Sequence, residues 1–187
     1  MRHGEDRQVK DKLKHIHPGH KARYEFAVDR VSGKILDAAC GVGYGSKMLM
    51  DSGQVTGIDI CPEAIDYARE HYSGPDYILH DIETWEAQKF DWVVSFETIE
   101  HLKRPELALS AFRASDKLIV STPNEEVIPF VPEKHRGEYP HQRHYTPEQF
   151  EKLLTSCGWK VVDRLGQKMK LSPVSQCNGA FLVWVCE

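Results

Sequence analysis

The sequence predicts an α/β domain: one seven-stranded, mostly parallel sheet with helices on both faces. Three observations carry this expectation. Short β-rich runs alternate with helix-period runs, a glycine-rich turn follows the first of them, and acidic residues close the next two. Strands that alternate with helices imply βαβ crossovers, which set neighbouring strands parallel and bury both sheet faces.

Lys34 to Ala39 (KILDAA) reads as the first strand, followed by glycines and a helix from Tyr44 to Met50. Gln54 to Ile60 (QVTGIDI) is the second strand, and Pro62, suited to a first helical turn, opens EAIDYAREHY. Tyr77 to Ile82 is the third and Phe90 to Phe96 the fourth. A helix presenting Leu107, Ala108, Ala111 and Phe112 leads to the fifth, Lys117 to Ser121. Thr146 caps the helix PEQFEKLLTSC, with Pro147 at its first position, Gln149 completing a capping box and Gly158 ending it. Lys160 to Leu165 and Ala180 to Cys186 complete seven strands.

The 187 residues allow one full domain with little left over. With 41% hydrophobic and 28% charged residues the composition is that of a globular chain with a sizeable core, not of a disordered or fibrous one. No apolar run approaches the roughly 20 residues of a membrane span, and the first residues are too charged for a secretory signal. Five cysteines without a Cys-x-x-Cys pair indicate neither a disulfide framework nor a cysteine zinc site, so a cytoplasmic location is expected. The net charge of −4 argues against bulk binding to nucleic acid. That charge is uneven: residues 1–23 carry seven Lys/Arg against three Asp/Glu, leaving 17 against 25 for residues 24–187. The expected organisation is a basic arm or helix over 1–23 and a catalytic domain over 24–187. The arm is either a solvated helix or a segment that meets an anionic substrate or covers a cleft.

In sheets of this kind ligands sit at the C-terminal strand ends, where the strand order reverses. There the segment Leu36 to Ser46 (LDAACGVGYGS) places Gly41, Gly43 and Gly45 between strand and helix, so that backbone can approach a ligand closely. A P-loop needs Gly-Lys-Ser/Thr, and the order here is Gly45-Ser46-Lys47. A dinucleotide fingerprint needs a glycine where Ser46 stands, which leaves that reading as a runner-up. Asp59 ends the second strand, where a carboxylate can accept both hydroxyls of a ribose, and Asp81 ends the third. Asp37 precedes the glycines, and no Lys or Arg lies within the loop to neutralise a pyrophosphate. A ligand with a ribose, an amino group and positive charge but no phosphate suits this edge. S-adenosylmethionine meets that description.

At these residues the chain resembles the class I S-adenosylmethionine-dependent methyltransferases, with their Rossmann-like fold, particularly the type-11 group. The resemblance runs from about His20 to the C-terminus and rests on HKARYEF, LDAACGVGYGS, TGIDI, HDI, FETIEHL, STPN and HQRHYTPEQF. It implies that the glycine loop, with Asp37, Ala39, Gly41 and Gly43, serves the methionine part of the cofactor. It further implies that Asp59 with Ile60 holds the ribose, that Asp81 and Ile82 contact the adenine, that Tyr24 approaches the cofactor carboxylate and that Phe96 lies beside the methionine.

Glu97, Glu100 and His101 are spaced i, i+3, i+4 after the fourth strand, which is expected to put all three on one face of a helical turn. Such a set can bind a divalent metal or form a base with its orienting partner. Similar Glu-x-x-Glu-His segments are associated with a divalent metal in two branches of the family, the ubiquinone-pathway O-methyltransferases and the small-RNA 3′-terminal 2′-O-methyltransferases. By that resemblance Glu97, Glu100, His101 and His141 are candidate ligands for Mg²⁺ or Mn²⁺. The alternative is that the two glutamates satisfy backbone donors while His101 shapes the cleft. His101, Glu100 and His144 are the candidate catalytic residues. HQRHYTPEQF is similar to a His-x-Arg-Glu-Tyr-Thr pattern of sugar and polysaccharide methyltransferases, although His144 stands where that pattern has Glu. His15, His17 and His20, interrupted by Pro18 and Gly19, match no zinc template and are expected to face solvent or the cleft. Residues 124–144, rich in proline, form a long loop expected to line the acceptor pocket. The reaction implied is O-methylation of a small hydroxylated acceptor such as a sugar. Metal-assisted methylation of an RNA 3′ end, and cofactor binding without turnover, are the alternatives.

Overall fold

The structure is a computed structural model that describes residues 18–136, 139–168, 172–176 and 178–187. His15, His17 and most of the basic arm lie outside the described residues, as do Gly137 and Cys177.

Fifteen residues into the described chain the sheet begins with β1 (Gly33–Ala38), preceded by helix α1 (Pro18–Val28). There follow α2 (Tyr44–Leu49), β2 (Gly53–Asp59), α3 (Pro62–His71), β3 (Asp76–Leu79), β4 (Trp92–Phe96), α4 (Pro105–Phe112), β5 (Lys117–Pro123), α5 (Pro147–Ser156), β6 (Val161–Gln167) and β7 (Phe181–Cys186). The strand order is β3-β2-β1-β4-β5-β7-β6, and only β7 runs against the rest. The order reverses between β1 and β4, which pair in register from Ile35 opposite Trp92.

Alternation along each strand divides the interior into two cores. Ile35 of β1 joins α1, α2 and α3 through Ala27, Leu49, Ile65 and Ala68 on one face. Its neighbour Leu36 joins α4 and α5 through Leu109, Phe112, Phe150 and Leu154 on the other. Helix α5 starts as expected: the Thr146 side chain accepts from the Gln149 backbone, and the Gln149 side chain accepts from the Thr146 backbone. Gly158, at φ +87°, carries the chain out of that helix.

Several expectations need correction. Leu107 is exposed and Leu109 takes its place in the core, because the helix starts at Pro105 and turns its face by that phase. Strand β3 stops at Leu79, and Ile82 lies in a 3₁₀ turn, Ile82–Thr84. The Asp81 side chain accepts from the Glu83 backbone and so ends the extended run. The division expected between residues 23 and 24 falls within α1, whose Arg23 is 1% exposed. Among the described residues no helix is long and apolar enough to cross a membrane, and Cys40, Cys61, Cys157 and Cys186 are free thiols.

Candidate active site

Among the described residues two that are not glycine adopt left-handed backbone conformations, Ala39 at φ +63° after β1 and Glu97 at φ +52° after β4. Such strain persists only where the surroundings enforce it, and it clusters at functional sites. Both residues stand at the C-terminal strand ends on the two sides of the switch point. A hollow of about 550 Å³ opens at the opposite edge, near Lys34, Gln54 and Phe90, away from these groups.

The glycine turn is held by two carboxylates. Asp37, wholly buried in β1, accepts from Tyr24 Oη at 3.0 Å and from Ser46 Oγ at 2.6 Å. Burial pushes its carboxyl up to about 6, with the Ser46 and Tyr24 hydrogen bonds pulling the other way. Asp59 accepts from the Gly41 backbone through Oδ2 and from the Cys61 backbone through Oδ1, each at 2.9 Å. It does not cap α3, whose N-cap is Cys61. Gly43, at φ +84°, lies so close to Ala68 and Tyr77 that an added Cβ would stand 2.6 Å from Ala68 Cβ. A Cβ on Gly41, at φ +55°, would meet nothing within 4 Å. The tip of β2 thus sets a carboxylate beside open space at the glycine turn. Ile60, exposed at the tip of β2, adds an apolar edge there.

Tyr24 and Phe96 pack edge-to-face at 5.1 Å and are both buried. The Tyr24 hydroxyl is committed to Asp37, so its observed role is to brace the floor of the glycine turn.

The segment after β4 departs from expectation. Glu97, Glu100 and His101 do not share one helical face, because Glu97 turns left-handed and the 3₁₀ turn begins only at Ile99. Glu97 accepts from Ser121 Oγ at 2.7 Å and lies 3.9 Å from the Arg23 guanidinium. Arg23 also donates to Gln167, 144 residues away, a contact no local pattern announces. Glu100 is wholly buried, accepts from Thr122 Oγ1 at 3.3 Å and keeps Oε1 without a hydrogen-bond partner. Burial, with the Glu97 charge next, raises its carboxyl well above the usual range. His101 Nε2 lies 3.9 Å from that Oε1, and its Nδ1 is 2.9 Å from the Tyr139 carbonyl. A carbonyl only accepts, so Nδ1 carries the proton and Nε2 is left as the basic nitrogen.

The loop after β5 gathers more imidazoles. His141 stands edge-on to His101 at 4.4 Å and stacks on His135 at 4.2 Å. His141 Nδ1 is 2.8 Å from His144 Nε2, and His144 Nδ1 is 2.7 Å from the Ile128 carbonyl. His135 was invisible to sequence reasoning, since it belongs to no periodic segment. Of the two histidines expected as bases, the His101 side chain is 25% exposed and that of His144 only 1%. Among the described residues two sets bring ligating atoms within 4.8 Å of one another: Glu100, His101 and His141, and His135, His141 and His144. Glu97 belongs to neither, so the four-residue set expected for Mg²⁺ or Mn²⁺ is not assembled.

A sheet ordered β3-β2-β1-β4-β5-β7-β6, with a glycine turn after β1 and a carboxylate at the tip of β2, defines the class I methyltransferase fold. Residues 36–114 match the family described as a methyltransferase domain. A probable S-adenosylmethionine-dependent methyltransferase of Mycolicibacterium smegmatis is 31% identical over 157 residues, covering 79% of this chain and 60% of the relative. A ubiquinone biosynthesis O-methyltransferase of Idiomarina loihiensis is 29% identical over 170 residues, covering 75% of this chain and 69% of the relative. Among solved structures, magnesium protoporphyrin IX methyltransferase of Synechocystis, with S-adenosylhomocysteine bound, superposes with a TM-score of 0.69 at 17% identity, covering 97% and 89% of the two chains. The chain thus has the class I methyltransferase fold, matches the methyltransferase-domain family over residues 36–114 and is similar to S-adenosylmethionine-dependent methyltransferases.

Proposed function

We propose that this protein binds S-adenosylmethionine over the tips of β1 and β2 and methylates a hydroxyl group of a small acceptor such as a sugar. The observation that carries the cofactor site is the pairing of Gly41, open above its Cα, with the Asp59 carboxylate. Asp59 accepts from one backbone donor on each oxygen, which fixes its orientation, and a carboxylate oxygen can accept more than one hydrogen bond, as a diol requires. Ile60 and Ile82 provide apolar surface for the purine, with Asp81 beside them. Asp37, Ala39 and Gly43 set the turn that receives the methionine portion, and Phe96 closes its floor.

The cofactor supplies an electrophilic methyl on a sulfonium; the acceptor oxygen bonds to that carbon as the carbon–sulfur bond breaks, leaving a neutral thioether. Methyl transfer is governed chiefly by alignment, so rigid placement of the two partners provides much of the rate. His101 Nε2 takes the hydroxyl proton as the new bond forms, with the Tyr139 carbonyl on Nδ1 orienting the ring and the buried Glu100 beside it. His141 and the described residues of the loop after β5 supply a polar wall suited to a hydroxylated acceptor.

O-methylation is also the reaction named for the Idiomarina relative. The RNA 3′-end alternative depended on a Glu97-containing metal set, and with Glu97 turned toward Arg23 it loses that support. The test is an acceptor screen with S-adenosylmethionine that measures S-adenosylhomocysteine. Turnover with a polyol or sugar supports the reading. Cofactor binding with no product from any oxygen acceptor would refute it.

A further inference from the structure

We propose that His135, His141 and His144 form a site for a first-row transition cation bound through nitrogen, with Zn²⁺ as the favoured guest. The claim does not depend on methyl transfer. It differs from the expected Mg²⁺ or Mn²⁺ set in its ligands and in the class of ion.

The three imidazoles come from the loop between β5 and α5, and their ligating atoms lie within 4.8 Å of one another. His141 Nδ1 and His144 Nε2 are 2.8 Å apart. With zinc–nitrogen bonds of roughly 2.0 to 2.1 Å in tetrahedral geometry, two nitrogens on one ion stand about 3.3 Å apart, so the His141 and His144 nitrogens must part by about half an ångström and His135, within 4.8 Å, must swing in. The orientation is already imposed. His144 Nδ1 donates to the Ile128 carbonyl at 2.7 Å, which leaves its Nε2 lone pair accepting the proton of His141 Nδ1, and on ligation that proton shifts to His141 Nε2. A backbone carbonyl fixing the far nitrogen is the outer support that metal-bound histidines usually have. His141 stacks on His135 and meets the His101 ring edge-on. A set of neutral imidazoles without a carboxylate suits Zn²⁺, Co²⁺ or Ni²⁺ and disfavours Mg²⁺. Three protein ligands leave a fourth position for water or an acceptor oxygen, as in zinc sites that act on substrates. The ion would also tie His135, beside the 3₁₀ turn Pro132–Lys134, to the segment that leads into α5.

The test uses the full chain, stripped with a chelator and titrated calorimetrically with Zn²⁺, with the visible absorption of bound Co²⁺ as a second readout. One ion per chain is expected at this site. His135→Asn and His144→Asn should each weaken it by roughly tenfold or more, the loss that removal of even an outer-sphere partner can cause, while Glu97→Gln leaves it unchanged. His144 is buried, so His135→Asn, at a half-exposed position, is the decisive variant if His144→Asn fails to fold. Absence of stoichiometric binding overturns the proposal. So does equal binding by the parent and His135→Asn, which would assign the ion to other histidines such as His3, His15, His17 or His20. Loss of binding in Glu97→Gln with the histidine variants unaffected overturns it as well.

Discussion

The backbone N–H of Gly41 donates to Asp59 Oδ2 at 2.9 Å, joining the glycine turn after β1 to the tip of β2. The same carboxylate accepts from Cys61 through its other oxygen, so a single side chain fixes both walls of the cradle. Charge-assisted bonds of this kind are stronger than neutral ones and hold a carboxylate in one orientation. A ribose diol bound as proposed would meet acceptors that are already aligned.

The buried Asp37 carboxyl gives stability a pH dependence of predictable sign. Its folded value, about 6, lies above the unfolded 3.8, so the native state holds the extra proton and ionisation is unfavourable to folding. The penalty is absent below the lower value and fully present above the upper. Asp37→Asn, which cannot ionise, should therefore gain stability relative to the parent as pH rises through that window, by on the order of 3 kcal/mol. Thermal melts of both proteins across the window check this; a pH-independent difference contradicts it.

Gly45 in α2 lies against the Tyr24 ring, and an added Cβ would collide with it. Gly45→Ala should cost about 1 to 3 kcal/mol through overpacking. Tyr24 must then move away from Asp37, so chemical denaturation of the alanine variant should show a lower midpoint.

At the start of α5 the reciprocal Thr146 and Gln149 bonds satisfy two backbone donors. Thr146→Ala should lower stability by about 1 kcal/mol. Cofactor affinity should stay at the parental level, since the cap lies away from the cradle.

His101→Gln tests the assignment of the base. The variant should lose roughly 10²- to 10⁴-fold in kcat, the range of general-base contributions, with the dissociation constant for S-adenosylmethionine unchanged. Parental turnover in this variant would leave the proton without the proposed acceptor.

Much of the fold was legible in the sequence because its signals are local. The alternating runs, Pro62 at the first turn of α3, the Thr146 capping box and Gly158 each act within a few residues. The carboxylates at strand ends were legible for the same reason. What escaped depends on distance or on backbone strain. Arg23 meets Gln167 across the whole chain, His135 joins His141 only through a loop without period, and Glu97 leaves its predicted face by adopting a positive φ. A spacing of i, i+3, i+4 assumes that the helix has already begun; here it begins two residues after Glu97.

Titration of S-adenosylmethionine into the parent and Asp59→Ala most directly tests the central claim, that this carboxylate grips the cofactor's ribose. Loss of hydrogen bonds to a charged acceptor, about 1.5 to 3 kcal/mol, predicts affinity weakened roughly ten- to hundredfold in a variant that still melts cooperatively. Equal affinity in the folded Asp59→Ala protein would contradict it.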